Sequence, residues 1–253
     1  MVKIRYLGVS AFEITTEGGT NLLIDPYISE SCWCPIRVED LKEVDFVLVS
    51  HGSSDHLGDA LEIVEKTGAL LVCGSDVAEL ARKRGLPETN IIETYPYGAQ
   101  REFNDVKVKA VEARHVHRIR RTEKDDRFVL GVPMGFVISD ANGVTVYHSG
   151  DTCIFGDMKL IGELYRPNIM MIEVGALPGF IPVSSPFELA LTVRWIRPDV
   201  VIPMHDPKGS ATKLFLDYVK VGAPHSRVVV MKPGGILRFQ PFQVEDLTST
   251  EGV

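Results

Sequence analysis

The sequence lacks three features that would each define a class of protein. No apolar run approaches the length of a bilayer-spanning helix, and the opening Met-Val-Lys-Ile-Arg-Tyr has no long apolar stretch of the kind found in signal peptides. Four cysteines in 253 residues are too few for a disulfide framework. Basic residues are in the minority, and the net charge of -7 argues against a general nucleic-acid binder. We therefore expect a cytoplasmic protein with a small-molecule substrate and no membrane or nucleic-acid partner.

The chain also lacks an obvious internal division. No low-complexity segment or linker interrupts residues 1–253, so we expect a single domain. Strand-rich runs and helical patterns are interleaved twice along the chain. This order predicts an α/β fold in which two mixed β-sheets lie face to face with helices outside, a four-layer αββα sandwich.

The most informative segment is 50–59, with the sequence SHGSSDHLGD. It follows the apolar run 44–50, which is typical of a buried strand. His51, Asp55 and His56 are therefore expected in a tight loop where that strand ends. Imidazoles and a carboxylate this close together indicate a site for a first-row metal.

Three further candidate ligands also follow predicted strands. His115 comes after the strand 106–113, Asp151 after 144–149, and His205 after 199–204. A single histidine at a strand end is more often a hydrogen-bonding residue than a ligand. The repetition of this placement favours a metal centre assembled from several loops at one edge of a sheet.

Several short motifs accompany these residues and together carry a family resemblance. They are YLGVSAF at 6–12, DP at 25–26, YHSGDT at 147–152, GDM at 156–158 and IPMH at 202–205. With the segment 50–59, they resemble the metallo-β-lactamase superfamily, whose signature is His-x-His-x-Asp-His followed by a distant His, Asp and His. Within it the chain resembles the branch of small metal-dependent hydrolases that includes L-ascorbate-6-phosphate lactonase. The similarity covers almost the whole chain.

The resemblance implies two adjacent metal sites with shared ligands. The implied ligands are His51, Asp55, His56, His115, Asp151 and His205. One site contains His51 and His115 with Asp151 as the bridge, and its third position is occupied by Ser53 in place of an imidazole. A neutral hydroxyl is a poor ligand for zinc. We therefore expect one tightly held divalent ion, zinc or manganese, and a second ion that is weakly held or absent.

Catalytic and substrate-binding roles are less clearly indicated. Asp55 or Asp151 could orient a metal-activated water. Arg118, Arg120 and Arg121 follow His115 and could hold an anionic substrate by paired hydrogen bonds, although a solvated charged loop is the simpler interpretation. The segment 117–131 is expected to be a mobile loop.

Two residues near these motifs have alternative interpretations. His117 could replace the missing imidazole or lie on the surface, and the surface is favoured. Glu173, at the end of an apolar run, could reach the site or be an ordinary edge carboxylate.

The favoured function is hydrolysis of a lactone, ester or phosphodiester, with an anionic group on the substrate as an option. The alternative is a metal-binding sensor or scaffold that has lost hydrolysis, which Ser53 favours. Val9 favours it too, because related sequences often carry histidine there. Redox chemistry at a di-iron site is a weaker third hypothesis, since the glutamate usual within that branch's motif is missing. Resembling proteins often self-associate, so a homo-oligomer is expected.

Overall fold

The computed structural model describes residues 1–94, 97–103, 105–116, 118–122, 125–240 and 243–246, with the backbone alone for 118–122, 125–130 and 243–246. The strands are β1 (Val2–Gly8), β2 (Ala11–Thr15), β3 (Asn21–Ile24), β4 (Phe46–Leu48), β5 (Leu70–Cys73), β6 (Ile91–Glu93), β7 (Gln100–Phe103), β8 (Val106–Glu112), β9 (Arg118–Thr122), β10 (Asp125–Leu130), β11 (Met134–Asp140), β12 (Thr145–His148), β13 (Ile169–Glu173), β14 (Val200–Met204), β15 (Arg227–Val228), β16 (Ile236–Gln240) and β17 (Gln243–Asp246). The helices are α1 (Ser54–Leu57), α2 (Ala60–Thr67), α3 (Ser75–Arg84), α4 (Met158–Tyr165), α5 (Pro186–Ile196) and α6 (Ser210–Gly222), with short 3-10 turns at Val38–Asp40 and Glu88–Asn90.

The strands form two mixed sheets. The first has the order β17-β16-β1-β2-β3-β4-β5-β6, antiparallel as far as β3 and parallel from β3 to β6. The second has the order β15-β14-β13-β12-β11-β8-β7, parallel from β15 to β12 and antiparallel from β12 to β7. Among the described residues, strands β9 and β10 pair only with each other.

Alternation along the strands divides the core into three apolar layers. In β1, Ile4 belongs to the cluster between the two sheets, whereas Leu7 belongs to the cluster beneath α2 and α3. In β11, Phe136 faces the first sheet, whereas Val137 packs with residues of α4, α5 and α6. Since successive side chains on a strand point to opposite faces, each sheet is buried on both sides. The predicted four-layer αββα sandwich is confirmed.

Helix α5 begins as its sequence indicates, with Pro186 in the first turn. The Ser185 hydroxyl accepts a hydrogen bond from the Glu188 N–H at 3.3 Å, and the Glu188 carboxylate accepts one from the Ser185 N–H at 2.8 Å. This reciprocal capping satisfies two N–H groups that the helix itself leaves unpaired.

One local expectation was wrong, and one helix was not anticipated. The backbone of 118–122 and 125–130 forms the hairpin of β9 and β10, so the prediction of a loop over 117–131 does not hold for those residues. The chain contains Ile119, Phe128 and Val129 between its charges there, and these residue types are enriched in strands. Helix α4, which contains Gly162, was not anticipated.

No helix in the described ranges combines the length and apolar composition that crossing a bilayer requires.

Candidate metal centre

The candidate ligands meet because the strands that precede them run in the same direction. Strands β8 and β12 are both antiparallel to β11, and β12, β13 and β14 are mutually parallel. The carboxyl ends of these strands therefore lie along one edge of the second sheet. The residues placed there are His115 after β8, Asp151 after β12, Glu173 at the end of β13 and His205 after β14.

The first sheet supplies the remaining ligands from the loop after β4. His51 follows the end of β4 by three residues and is buried. The single turn of α1 then carries Asp55 and His56. The N–H groups of His56 and Leu57 donate to the carbonyl of Ser53, at 2.9 and 2.8 Å, which holds the turn in place. His56 is fully buried, whereas Asp55 keeps a partly exposed carboxylate. A loop of a few residues thus delivers two imidazoles and a carboxylate to the same point.

Asp151 lies at the middle of the cluster. Its Oδ2 atom is 3.2 Å from Nε2 of His56, 3.6 Å from Nε2 of His205 and 4.0 Å from Nε2 of His115. Nε2 of His205 is also 3.2 Å from Oδ2 of Asp55. Donor atoms of His51, His115 and Asp151 lie within 4.8 Å of one another, as do those of Asp55, His56 and His205.

The surrounding charges hold these groups in forms that suit a metal. Burial by itself would raise the pKa of Asp151, but the neighbouring His56 and His205 outweigh it and hold that pKa well below its usual range. Burial likewise opposes ionisation of Asp55, whose pKa is nevertheless lowered by the hydrogen bond to His205 and the charge of His56. Burial lowers the pKa of His115. Ionised carboxylates and a neutral imidazole are the ligand forms of these side chains.

The cluster fits a divalent cation on its own geometry. Oδ1 of Asp151 is buried and has no hydrogen-bond partner among the described residues. A buried polar atom without a partner is costly and requires an explanation. A cation held between carboxylate oxygens and imidazole nitrogens supplies one, and this mixed N/O donor set suits first-row divalent metals.

Known proteins agree with this geometry. A beta-lactamase superfamily domain model matches residues 3–205. A UPF0173 metal-dependent hydrolase of Methanobrevibacter smithii is 35% identical over 250 residues, covering 97% of this chain and 100% of that protein. Another, from Caldivirga maquilingensis, is 37% identical over 244 residues, covering 92% and 96%. The chain belongs to the UPF0173 family of metal-dependent hydrolases.

A solved structure supports the same assignment. Igni18, a metallo hydrolase from the hyperthermophilic archaeon Ignicoccus hospitalis, has a TM-score of 0.77 at 28% identity, covering 94% of this chain and 99% of that one. This UPF0173 protein is therefore an enzyme, a hydrolase that uses a divalent metal ion. The hypothesis of a sensor or scaffold without hydrolysis is not supported.

Asp25 contacts a candidate ligand, a position that the sequence alone did not indicate. Its Oδ2 atom lies 2.7 Å from Nδ1 of His56, and the Ser50 N–H and hydroxyl both donate to the carboxylate at 2.7 Å. If Nδ1 of His56 carries the proton of this bond, the lone pair of Nε2 faces Asp151 and the centre. The available signal was the DP pair at the end of β3, because β3 is parallel to β4 and ends at the same edge.

His148 supports the strand end that carries Asp151. The Gly150 N–H donates to Nδ1 of His148 at 3.1 Å, so Nε2 holds the proton and donates to the carbonyl of Ser10 at 3.0 Å. Burial lowers the pKa of His148, which keeps the ring neutral. Gly150 has a φ of 57°, and a Cβ there would lie 2.6 Å from the carbonyl oxygen of Met134. Only glycine fits this turn.

Val9 contributes to the hydrolase through its backbone. Its carbonyl accepts hydrogen bonds from the His205 N–H at 2.9 Å and from the Tyr6 hydroxyl at 3.1 Å. Val9 and His205 have φ values of 54° and 63°, in the left-handed region. Residues other than glycine are uncommon there, and a β-branched residue such as Val9 is rare. Strain of this kind persists where the surroundings fix the backbone, and here it fixes the direction of a candidate ligand.

A cavity of about 610 Å³ opens over the cluster. Its floor contains Ser53, Asp55, His115, Asp151, Glu173 and His205. Its rim is largely apolar and consists of Val116, Ala176, Leu177, Phe180, Ile181 and Val183, together with Tyr27. Phe180 is 74% exposed and Ile181 is 89% exposed, so both are available to a bound molecule. The predicted ligands therefore lie at the base of an accessible site.

The predictions for His117 and for the three arginines of β9 concern side chains outside the described part of the structure. His117 lies outside the described residues, and Arg118, Arg120 and Arg121 lie on β9, for which the backbone alone is described. Nearby Arg114 turns to Glu112, at 2.8 Å, and to the ring of Phe155. The role of the three arginines in substrate binding stays a prediction.

Proposed function

We propose that this hydrolase cleaves carboxylic esters or lactones that carry an apolar group. The observation that supports this most directly is the apolar rim over the candidate metal centre. A substrate group that packs against Phe180, Ile181 and Val116 removes apolar surface from water, at about 25 cal/mol per Å². A phosphodiester, charged beside its scissile bond, gains less from such a rim.

The proposed ligands are Asp55, His115, Asp151 and His205, which line the cavity, together with the buried His51 and His56. A bound divalent ion lowers the pKa of its water to about 7 and polarises the scissile carbonyl. Of the two candidate carboxylates, Asp55 suits the task of orienting the attacking water better. Its side chain is 21% exposed towards the cavity, whereas that of Asp151 is 6% exposed.

The two halves of the centre are unequal, which supports one tightly bound ion, zinc or manganese. The side chains of Asp55, His56 and His205 surround one position together with Asp151. This position is called the deeper one after His56, which is fully buried. The other position has His51 and His115, with Ser53 at the cavity wall where the superfamily pattern has a further imidazole. Water can complete such a position, so the second ion is expected to be weakly held.

The resemblance to the L-ascorbate-6-phosphate lactonase branch bears on lactones as substrates. The apolar rim favours a lactone less polar than a sugar phosphate. If the arginines of β9 reach the cavity, an anionic group could be bound at the end opposite to the apolar one.

A substrate panel tests the proposal. Protein stripped with a chelator and reloaded with zinc or manganese is assayed on nitrophenyl acetate, butyrate and hexanoate, on alkyl lactones, and on bis(nitrophenyl) phosphate. We expect metal-dependent ester and lactone hydrolysis, with kcat/KM increasing with acyl length. Faster hydrolysis of the phosphodiester, or indifference to acyl length, would contradict the proposed substrate class.

Variants of the rim test whether Phe180 and Ile181 cause the expected preference for long acyl groups. Phe180→Ser and Ile181→Ser should raise KM for the hexanoate ester much more than for the acetate. Val221→Ser is the matched control, because Val221 is an 85% exposed valine on α6 that does not line the cavity. An equal effect of the control would assign the change to general stability instead of substrate contact.

A further inference from the structure

Glu173 is a buried carboxylate that the proposed ligand set does not use. It is the last residue of β13, which lies between β12 and β14, and both of these strands lead to candidate ligands. Strand alternation puts it on the same face as Met171, which packs between the two sheets. Its side chain is therefore directed along the edge where Asp151 and His205 lie, and it is only 3% exposed.

The contacts of Glu173 place a donor atom at the centre. Its Oε2 accepts a hydrogen bond from the Thr152 N–H at 3.2 Å. One of its carboxylate oxygens lies within 4.8 Å of ligand atoms of both Asp151 and His205. The three residues thus form a third potential ligand group, which shares two members with the deeper metal position.

Two buried carboxylates this close cannot both be ionised at low cost unless a positive charge lies between them. Among the described side chains, the ionic partners of Asp151 are histidines, and no lysine or arginine forms an ion pair with Glu173. Oδ1 of Asp151 is buried in the same place without a hydrogen-bond partner among the described residues. The positive charge at this edge comes from histidines that already face Asp151 and Asp55, so a third carboxylate there is best balanced by a bound cation.

We propose that Glu173 is an additional carboxylate ligand of the deeper metal ion and that it makes this position selective for manganese or ferrous iron over zinc. This inference rests on the proposed metal centre and goes beyond its ligand set. The deeper position then has three carboxylates, Asp55, Asp151 and Glu173, and two imidazoles, His56 and His205. Zinc in proteins is mostly four-coordinate, whereas manganese accepts six ligands and favours oxygen. A fifth protein donor of this kind therefore shifts the preference towards the larger coordination number.

Metal binding by the full chain tests the inference without an activity assay. Metal-free wild type and Glu173→Gln are titrated separately with manganese and zinc in competition with a chelating dye. Loss of an orienting partner costs about 10–100-fold in metal affinity, so loss of a true ligand should exceed about 100-fold for manganese. The affinity for zinc should fall much less, because zinc needs fewer donors. Glu163→Gln removes an exposed carboxylate on α4 and should change neither affinity.

Cobalt substitution gives a second readout. The wild type should show the weak visible absorption of five- or six-coordinate cobalt, and Glu173→Gln should move towards the stronger absorption of four-coordination. Circular dichroism of the metal-free variants checks the fold. If Glu173→Gln does not fold, Glu173→Asp keeps the charge with a shorter reach and should still lose manganese affinity relative to zinc.

The outcomes separate the two levels of inference. A wild type that binds neither metal would refute the proposed metal centre itself. A wild type that binds metal, with affinities and cobalt spectrum unchanged in Glu173→Gln, would refute the role of Glu173 alone and leave the centre intact. Equal losses for manganese and zinc would show that Glu173 is a ligand without selectivity, which overturns the preference for manganese.

Discussion

Asp25 and His56 form a buried pair in which the carboxylate oxygen Oδ2 lies 2.7 Å from the ring nitrogen Nδ1. Both side chains are fully buried. The pair joins the end of β3 to the loop after β4, so an acid outside the ligand set fixes the orientation of a candidate ligand. Burial alone would lower the pKa of His56, but the charges of Asp151 and Asp25 outweigh it and raise that pKa well above its usual value.

Asp25→Asn should weaken metal binding. The Ser50 N–H needs the variant's amide oxygen as its acceptor, which leaves the NH2 group facing Nδ1 of His56. The ring then loses the bond that directs its Nε2 lone pair to the centre. Changes of this type cost about 10–100-fold in metal affinity, measurable by competition with a chelating dye. Asp59→Asn is the matched control, because Asp59 accepts hydrogen bonds from the Ile28 and Ser29 N–H groups, at 2.9 and 2.8 Å, without bonding a candidate ligand. Equal losses in both variants would contradict the pairing argument.

The arginines of β9 provide a test of substrate charge. Replacing Arg118, Arg120 and Arg121 with glutamine should raise KM for an ester that carries a carboxylate more than KM for its neutral analogue, because a charged hydrogen bond is lost only with the anion. Arg84→Gln, on α3 and paired with Glu65, serves as the control. If both substrates respond alike, the arginines do not select charge.

The sequence predicted the convergence of ligands because each candidate follows a recognisable apolar strand, and strand direction then determines which edge they share. It could not identify Asp25, whose role depends on the parallel pairing of β3 with β4. Parallel partners are distant in sequence and leave no local signal.

Helix α4 escaped prediction for a packing reason. Gly162 lies in its middle, where glycine costs about 1 kcal/mol relative to alanine and weakens the helical pattern. The structure shows why it is there. A Cβ on Gly162 would lie 2.7 Å from Cα of Ile196, so α4 and the end of α5 approach backbone to backbone. Glycine lowers the helix propensity of α4 but permits the close contact between two outer helices.

Gly162→Ala should therefore destabilise the fold in spite of the better helix propensity of alanine. Overpacking of this type typically costs about 1–3 kcal/mol in the free energy of unfolding, measurable by urea denaturation. Gly222→Ala is the control, since Gly222 ends α6 and a Cβ there meets nothing within 4 Å. That variant should be neutral or gain up to about 1 kcal/mol. A stable Gly162→Ala protein would show that the helices separate easily.

His148 should make the metal-free protein sensitive to acid. Burial lowers its folded-state pKa, so below the unfolded value of about 6.5 the unfolded chain binds a proton that the folded chain does not. Stability is therefore lost as pH falls from about 6.5 towards the folded pKa. After chelator treatment, the free energy of unfolding should fall more between pH 7.5 and 5.5 in the wild type than in His148→Gln. His225→Gln should reduce the acid sensitivity much less, because His225 is exposed, although burial and Arg197 lower its pKa in the same direction.

His56 and Asp151 also act on His148, and their own titration contributes to acid sensitivity. Only the difference between the wild type and His148→Gln reports on His148. If the two proteins lose stability in parallel on acidification, the ring does not control this response.

Ser53 determines the expected metal count. It lines the cavity beside Asp55 and His115, where an imidazole would complete the position of His51 and His115. Ser53→His should therefore raise the tightly bound metal, measured by elemental analysis after dialysis against a chelator, from about one towards two equivalents per chain, because imidazole is a far better ligand than a hydroxyl. Ser75→His puts the same ring on an exposed serine that does not line this cavity and should leave the count unchanged. A wild type that already retains two equivalents, or a folded Ser53→His protein with an unchanged count, would show that Ser53 does not limit the second site.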